Sequence, residues 1–419
     1  MKNLRYTEIA CYLSYVTQAI NLNLLPLFFV IFQTDYGIST AKLSITVFLT
    51  FFLQIAIDAL LAFIGERVNL RLLIILSHVT SAAGLTALAI LPGVIDPFCG
   101  IIIAVVLYSL GSALLEVVIN PIFDRLPKKE GVGFTFAHSF YCWGQMGVIL
   151  ISALVLAISD GKWRFIPIFW AILPTFLAVC CFFLPIPEKG SEDKASDSQN
   201  RKNVKLGKGF ILFILLMIFA GAAEQGVAQW ASYFAEKGLG SSKLLGDLLG
   251  PCTFALFMAI GRTLLGVSGS KLNLRKALII CALSSSVCYL AIAFLPSPIL
   301  SLAACALSGF AVSIMWPASL DLASSAFVCG TTAFSLLSLA GDIGCTVGPS
   351  VNGFVSDMLA DSAVTKGFAE IMNISCDQAA IRLGFAVTSV FSIAMVITLL
   401  KISRTFFSKE HSDSTADGK

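Results

Sequence analysis

Apolar runs of about 20 residues recur along the whole chain of 419 residues, and a run of that length has one stable home. As an α-helix rising ~1.5 Å per residue, it crosses the roughly 30 Å hydrocarbon layer of a bilayer with its backbone hydrogen bonds closed inside the segment. Twelve such runs can be read, near residues 10–32, 43–64, 72–91, 99–122, 134–158 and 164–185, then 208–234, 246–267, 277–295, 299–320, 331–356 and 379–402. Charged residues make up only 13% of the chain, about half the share of a soluble domain. A water-soluble fold is thereby excluded, and the fold class is an all-α polytopic membrane protein.

Between the sixth and seventh runs lies a polar stretch from Glu188 to Lys202 and beyond with almost no apolar residue, the composition of a flexible linker. It divides the chain into residues 1–187, a linker at 188–207, and residues 208–419. The halves also resemble one another. Asp58 to Arg71 reads DALLAFIGERVNLR, and Arg262 to Arg275 reads RTLLGVSGSKLNLR. Self-similarity at half the chain length in a membrane protein predicts two pseudo-symmetric six-helix bundles. The repeat has one pointed mismatch, in that Asp58 is answered by Arg262.

The net charge of +3 reads as a topology signal and not as nucleic-acid binding. With the N-terminus inside, the inner segments hold 20 of the 28 Lys and Arg residues and the outer loops seven, with Arg262 inside a helix. Cytoplasmic loops carry the excess, so both termini are expected on the cytoplasmic side of the inner membrane. The first run is too long for a signal-peptide core and has no convincing cleavage site. The twelve Cys form no CxxC and no cluster with His, and nearly all lie in apolar runs; they read as small buried hydrophobes with no metal role.

A charge at mid-membrane costs a few kcal/mol or more, so the residues that bear one narrow the search. They are Asp58, Glu116, Glu224, Arg262 and Asp342, with His138 alongside. Glu116 and Asn120 stand four apart on one helix face, and Pro121 frees a carbonyl near Val117. Gln18 and Asn21 continue a stripe from Ser14 in the first run; His138, Tyr141 and Gln145 form one in the fifth. The seventh offers Glu224, Gln225, Gln229 and Trp230, the tenth Ser313 and Trp316, and the eleventh Ser335, Ser338 and Asp342. Carboxamides, hydroxyls and aromatic faces suit a hydroxylated ligand such as a sugar; the same residues also glue helices together in membranes. Nothing resembles a phosphate loop, a catalytic triad or a metal site, so no catalytic residue and no cofactor is expected.

The twelve-span layout and the loop Gly65 to Arg71, with its copy Gly269 to Arg275, resemble the major facilitator superfamily over essentially the full chain. In the family's loop pattern Glu66 and Arg67 match the acidic–basic pair and Arg71 the last basic position, while Ala62 and Asn69 stand where the family has glycines. Leu115-Glu-Val-Val-Ile-Asn-Pro121 is similar to a helix-four segment of the fucose/galactose/glucose proton symporters. Gly221 to Glu224 and Ser313 to Pro317 are similar to segments of helices seven and ten in that branch. The resemblance implies that Glu116 serves proton coupling or substrate binding, and that Asp58, Glu66, Arg67, Arg71, Arg262, Lys271 and Arg275 belong to a gate. Fucose permeases carry a second acid in helix one; here Gln18, Asn21 and Asn23 stand there, which leaves Glu224 and Asp342 as further coupling candidates. The family architecture also sets span two beside eleven and span eight beside five, so Asp58 is expected to meet span eleven or its own bundle, and Arg262 span five.

These readings converge on a monomeric secondary transporter of a small polar solute, a sugar above others, entering with a proton by alternating access. Its partners are then the solute, protons and the lipid bilayer. Efflux of a lipophilic compound is the alternative within transport. A membrane sensor or an intramembrane enzyme is the alternative outside it, although no cytoplasmic partner domain or convergent catalytic set is present to favour either.

Overall fold

A computed structural model describes residues 4–64, 69–124, 126, 134–159, 161–186, 209–268, 273–327 and 331–406. Among these, twelve helices are long enough to span a bilayer. They are α1 (Arg5–Tyr36), α2 (Thr40–Ile64), α3 (Leu70–Ile90), α4 (Pro97–Asp124), α5 (Phe134–Ile158), α6 (Phe165–Phe183), α7 (Phe210–Gly238), α8 (Lys243–Leu264), α9 (Leu274–Phe294), α10 (Pro298–Ala323), α11 (Thr331–Leu359) and α12 (Cys376–Phe406). Eleven of them also contain a stretch apolar enough to cross a membrane. The remaining helix, α11, is 29 residues long but rich in Gly, Ser and Thr, because it is packed on protein more than on lipid.

Local chemistry sets the ends and bends. The Asn69 side chain accepts from Arg71 N and Leu72 N at the start of α3, and Asn273 accepts from Lys276 N at the start of α9. The Asn-Leu-Arg shared by the two halves is therefore a helix N-cap, in which a carboxamide satisfies amides left free in the first turn. Pro26 sits in a 3-10 turn, Leu25–Phe28, inside α1, where a proline that lacks an N–H interrupts the regular ladder. In α8, Pro251 lies within a π-helical turn, Leu248–Cys252.

Burial runs opposite to a water-soluble protein. On α6, Phe165, Ile172, Phe176, Val179 and Phe183 are all exposed and recur at helical spacing, forming a lipid-facing stripe. Its other face packs on α3 and α1. In the second half α7 packs closely on α11. A Cβ at Gly344 would overlap Ile218 O, and one at Gly348 would overlap Ala222 O, so glycine permits the approach of the two backbones.

Each half is clasped at the end where Arg5 and Phe406 lie, called here the terminal end. Thr7 Oγ1 donates to Pro185 O at 2.8 Å, and Arg71 donates to the carbonyls of Cys181, Phe182 and Leu184 at the end of α6. In the second half Phe213, Phe327 and Phe406 meet edge to face. The two halves meet along two seams, α2 against α11 and α5 against α8. At the far end they also touch between α1 and α7. There Phe29 and Trp230 lie 5.3 Å apart, and Gln229 Nε2 donates to Leu22 O at 3.1 Å.

Two features were not legible beforehand. The first helix extends to Tyr36 and the last begins at Cys376, several residues beyond the apolar runs. A short helix, Ala363–Met372, precedes α12, capped by Ser362 and closed by Asn373 in a left-handed conformation at φ 53°. Val364 and Ile371 are exposed on it, with Lys366 and Glu370 on its other side, as in a helix lying along a membrane surface.

Candidate functional site

Three acids from both halves converge in the interior. Asp58 on α2, Glu116 on α4 and Asp342 on α11 each place a carboxylate oxygen within 4.8 Å of the others. They lie six, eight and eleven residues from the terminal ends of their helices, or roughly 9–16 Å in. Gln18 Nε2 of α1 donates to Glu116 Oε2 at 2.9 Å. Gln54 Nε2 donates to the same oxygen and lies 3.5 Å from Asp342 Oδ1. Asp58 and Asp342 approach each other across the α2–α11 seam, with carboxylate oxygens within 4.8 Å.

This grouping is chemically specific. Ionised carboxylates accept hydrogen bonds but cannot donate them, so two that bond directly to each other need a proton between them. The two glutamine amides turn N–H, not oxygen, toward Glu116. That orientation serves a carboxylate and a shared proton; a hard metal ion would want the amide oxygens.

A second polar centre lies among α7, α8, α10 and α5. Arg262 Nη2 donates to Glu224 Oε1 at 2.9 Å and to Oε2 at 2.8 Å, and its Nε donates to Ser313 O at 3.1 Å. Both side chains of this ion pair are 7% exposed. His138, Tyr141 and Cys142 of α5 lie within electrostatic reach of Arg262. Arg262 therefore sits beside span five, but its ion pair is with span seven. A buried pair held by further hydrogen bonds is costly to break from either side.

The other predicted site residues divide into groups. The first-span stripe faces its own half: Ser14 Oγ lies 3.1 Å from His78 Nε2, and Asn21 Nδ2 donates to Ser81 Oγ at 2.8 Å. Asn21 thus joins α1 to α3, while Gln18 reaches Glu116. Tyr141 accepts from Asn23 Nδ2 at 3.2 Å. Gln229 donates to Gln225 at 3.1 Å, and Trp230 Nε1 to Pro349 O at 2.9 Å; these are contacts of the far end. Gln145 is 2% exposed, with an Oε1 that meets no donor. Trp316 is half-buried against Gly341.

Among the expected gate residues, Arg71 holds the end of α6 and Arg275 lies in the first turn of α9. Asp58 and Arg262 stand inside the two buried centres and not at the helix ends. Glu66, Arg67 and Lys271 lie outside the described residues, as does the side chain of Asn120. Three residues escaped the sequence reading: Gln54, His78 and Arg382. Gln54 carried a usable signal, since it stands four residues before Asp58 and so shares its helix face. Arg382, 2% exposed, donates to Leu295 O at 2.7 Å beyond the end of α9.

Residues 11–349 match the family model of the Major Facilitator Superfamily. No curated protein matches the chain. Among solved structures, one similar chain is a bacterial homologue of the human lysosomal transporter Spinster, inward-facing and unoccupied. It is 17% identical with a TM-score of 0.72, over 97% of this chain and 98% of that one. The D-xylose–proton symporter is 12% identical with a TM-score of 0.71, over 92% and 96%. The transporter FucP, outward-facing, is 17% identical with a TM-score of 0.57, over 93% and 98%. At these identities the likeness is one of fold.

Proposed function

Since the chain belongs to the Major Facilitator Superfamily, we propose that it is a secondary active transporter that moves a small polar solute, a sugar in the first instance, together with a proton across the cytoplasmic membrane. The distribution of Lys and Arg supports a cytoplasmic position for both termini. The observation that carries the coupling is the environment of Glu116, a carboxyl group in the membrane interior that receives two amide donors and stands beside two further acids. A carboxyl so placed can exchange a proton as the cavity around it changes its access to water. The sugar assignment is supported by the solute that the xylose symporter is named for and by the carboxamides of Gln18 and Gln54 beside the central acids.

Two experiments test this reading. In proteoliposomes, Glu116→Gln should abolish accumulation driven by a proton gradient while equilibrium exchange of solute continues; unchanged accumulation would overturn the role of Glu116. A thermal-shift screen of monosaccharides and polyols should find a ligand that raises apparent stability, because binding to the folded state alone does so. Silence across sugars with a response to lipophilic amines would replace uptake by efflux.

A further inference from the structure

Asp58 belongs to the first half of the chain and Asp342 to the second, and their carboxylate oxygens come within 4.8 Å of each other across the α2–α11 seam. Asp342 is 2% exposed, and neither its Oδ2 nor Asp58 Oδ1 meets a donor from any other residue. Gln54, 4% exposed, spans the space between Glu116 and Asp342 and leaves its own Oε1 without a donor. The seam is thus lined with buried acceptors and supplied with few donors. Such a set of oxygens takes a proton or a cation, and the two amide N–H groups turned toward Glu116 favour the proton.

Resting on the reading of the chain as a proton-coupled transporter, we infer that the coupling proton is held between Asp58 and Asp342, at a site divided between the two halves. Glu116 then exchanges the proton with the cavity, and the aspartates are what it joins. With the proton present, the carboxyl groups bond and the seam closes. With it gone, carboxylates of like charge face each other from opposite halves in a medium of low dielectric, and the terminal halves of α2 and α11 part. One event, loss of a proton, is in this way converted into relative movement of the halves.

Other titratable groups around the site are few. Tyr15 on α1 interacts with Glu116, and Cys345 on α11 with Asp342 and Glu116. Beyond Cys345 stand Glu224 on α7 and Arg262 on α8, already paired with each other. On α3, His78 is taken up by Ser14, and α12 has no titratable side chain between Arg382 and Lys401.

The test is hydrogen–deuterium exchange of the full-length protein in nanodiscs, without solute, corrected for intrinsic rates and followed at residues 52–64 and 336–348. In the wild type, exchange in both segments should accelerate with rising pH by roughly tenfold or more, the factor by which one pH unit moves a one-proton equilibrium. Asp58→Asn and Asp342→Asn keep the shape but have no proton to lose, and either should stay protected and flat with pH. A wild-type pH response in both Asn variants would overturn the inference. So would protection that follows sodium concentration at fixed pH, which would make the occupant a metal ion. Loss of the response in Glu116→Gln alone would leave Glu116 as the coupling group and remove the aspartate seam. Flat Asn variants alongside full accumulation by Glu116→Gln would do the reverse.

Discussion

Gln145 and Asp342 are counterparts. Each stands eleven residues from the start of its helix, and each is framed by glycines, in Gly144-Gln-Met-Gly147 and Gly341-Asp-Ile-Gly344. The pseudo-symmetry that relates the α2–α11 seam to the α8–α5 seam therefore sets Asp58 and Asp342 in one against Arg262 and Gln145 in the other. One seam carries two acids in contact. The other carries a guanidinium drawn away to Glu224 and a carboxamide oxygen without a donor. The same architecture has been given two different chemistries.

The Arg262–Glu224 pair should behave as a single unit. Replacing Arg262 by Met, or Glu224 by Leu, leaves a buried partner uncompensated and should cost about 3–5 kcal/mol. The double variant with Met and Leu should recover most of that loss. Chemical or thermal unfolding of the four proteins in one detergent gives the cycle, and additive losses would show that the pair is not coupled.

Asn69 and Asn273 should be interchangeable with Asp but not with Ala. Each accepts from first-turn amides, so Asn→Ala should lose about 1 kcal/mol at either position, and Asn→Asp should lose little. The melting temperature of each single variant measures this directly.

The approach of α7 to α11 depends on the absence of side chains. At Gly348 an added Cβ would overlap Ala222 O, so Gly348→Val should destabilise by about 1–3 kcal/mol or shift the helices apart. Folded yield and solute exchange should fall together. Gly147, with open space around it, is the control, and Gly147→Ala should be tolerated.

Trp230 closes the far end through Pro349 O and the ring of Phe29. Trp230→Phe keeps the ring contact but loses the hydrogen bond, a change worth about 1 kcal/mol. The far end should open more often, read as faster hydrogen–deuterium exchange in residues 22–36 and 228–238 with the terminal-end peptides unchanged.

Much of this was legible in the sequence because a bilayer admits few solutions. Apolar length located the twelve spans, and the repeated Asn-Leu-Arg located equivalent turns in the two halves. Seam contacts were less so. That Asp58 would meet α11 follows from family architecture, but that it meets Asp342 itself depends on helix rotation, which a 20-residue apolar run does not encode. Asn21 read as part of a cavity stripe, yet it bonds Ser81, because the same polar residue serves a cavity or a helix contact and only rotation decides. Gln54 carries no formal charge, and only its place four residues before Asp58, on the same helix face, links it to the buried acids.

Four of the seven cations at the far end are engaged by the protein itself. Lys42 lies over the ring of Phe98, Arg164 donates to Tyr36 Oη, Lys243 pairs with Asp247, and Arg382 is spent on backbone carbonyls. Each of these four has a partner within the folded protein, whereas Lys162, Lys237 and Lys366 are exposed. In the orientation proposed, four of the seven basic residues on the outer side thus offer an anionic headgroup less than their number suggests, which adds to the bias toward the cytoplasmic leaflet. Freeing a far-end cation, for instance by removing Asp247 from Lys243, would weaken the bias without adding a single positive charge.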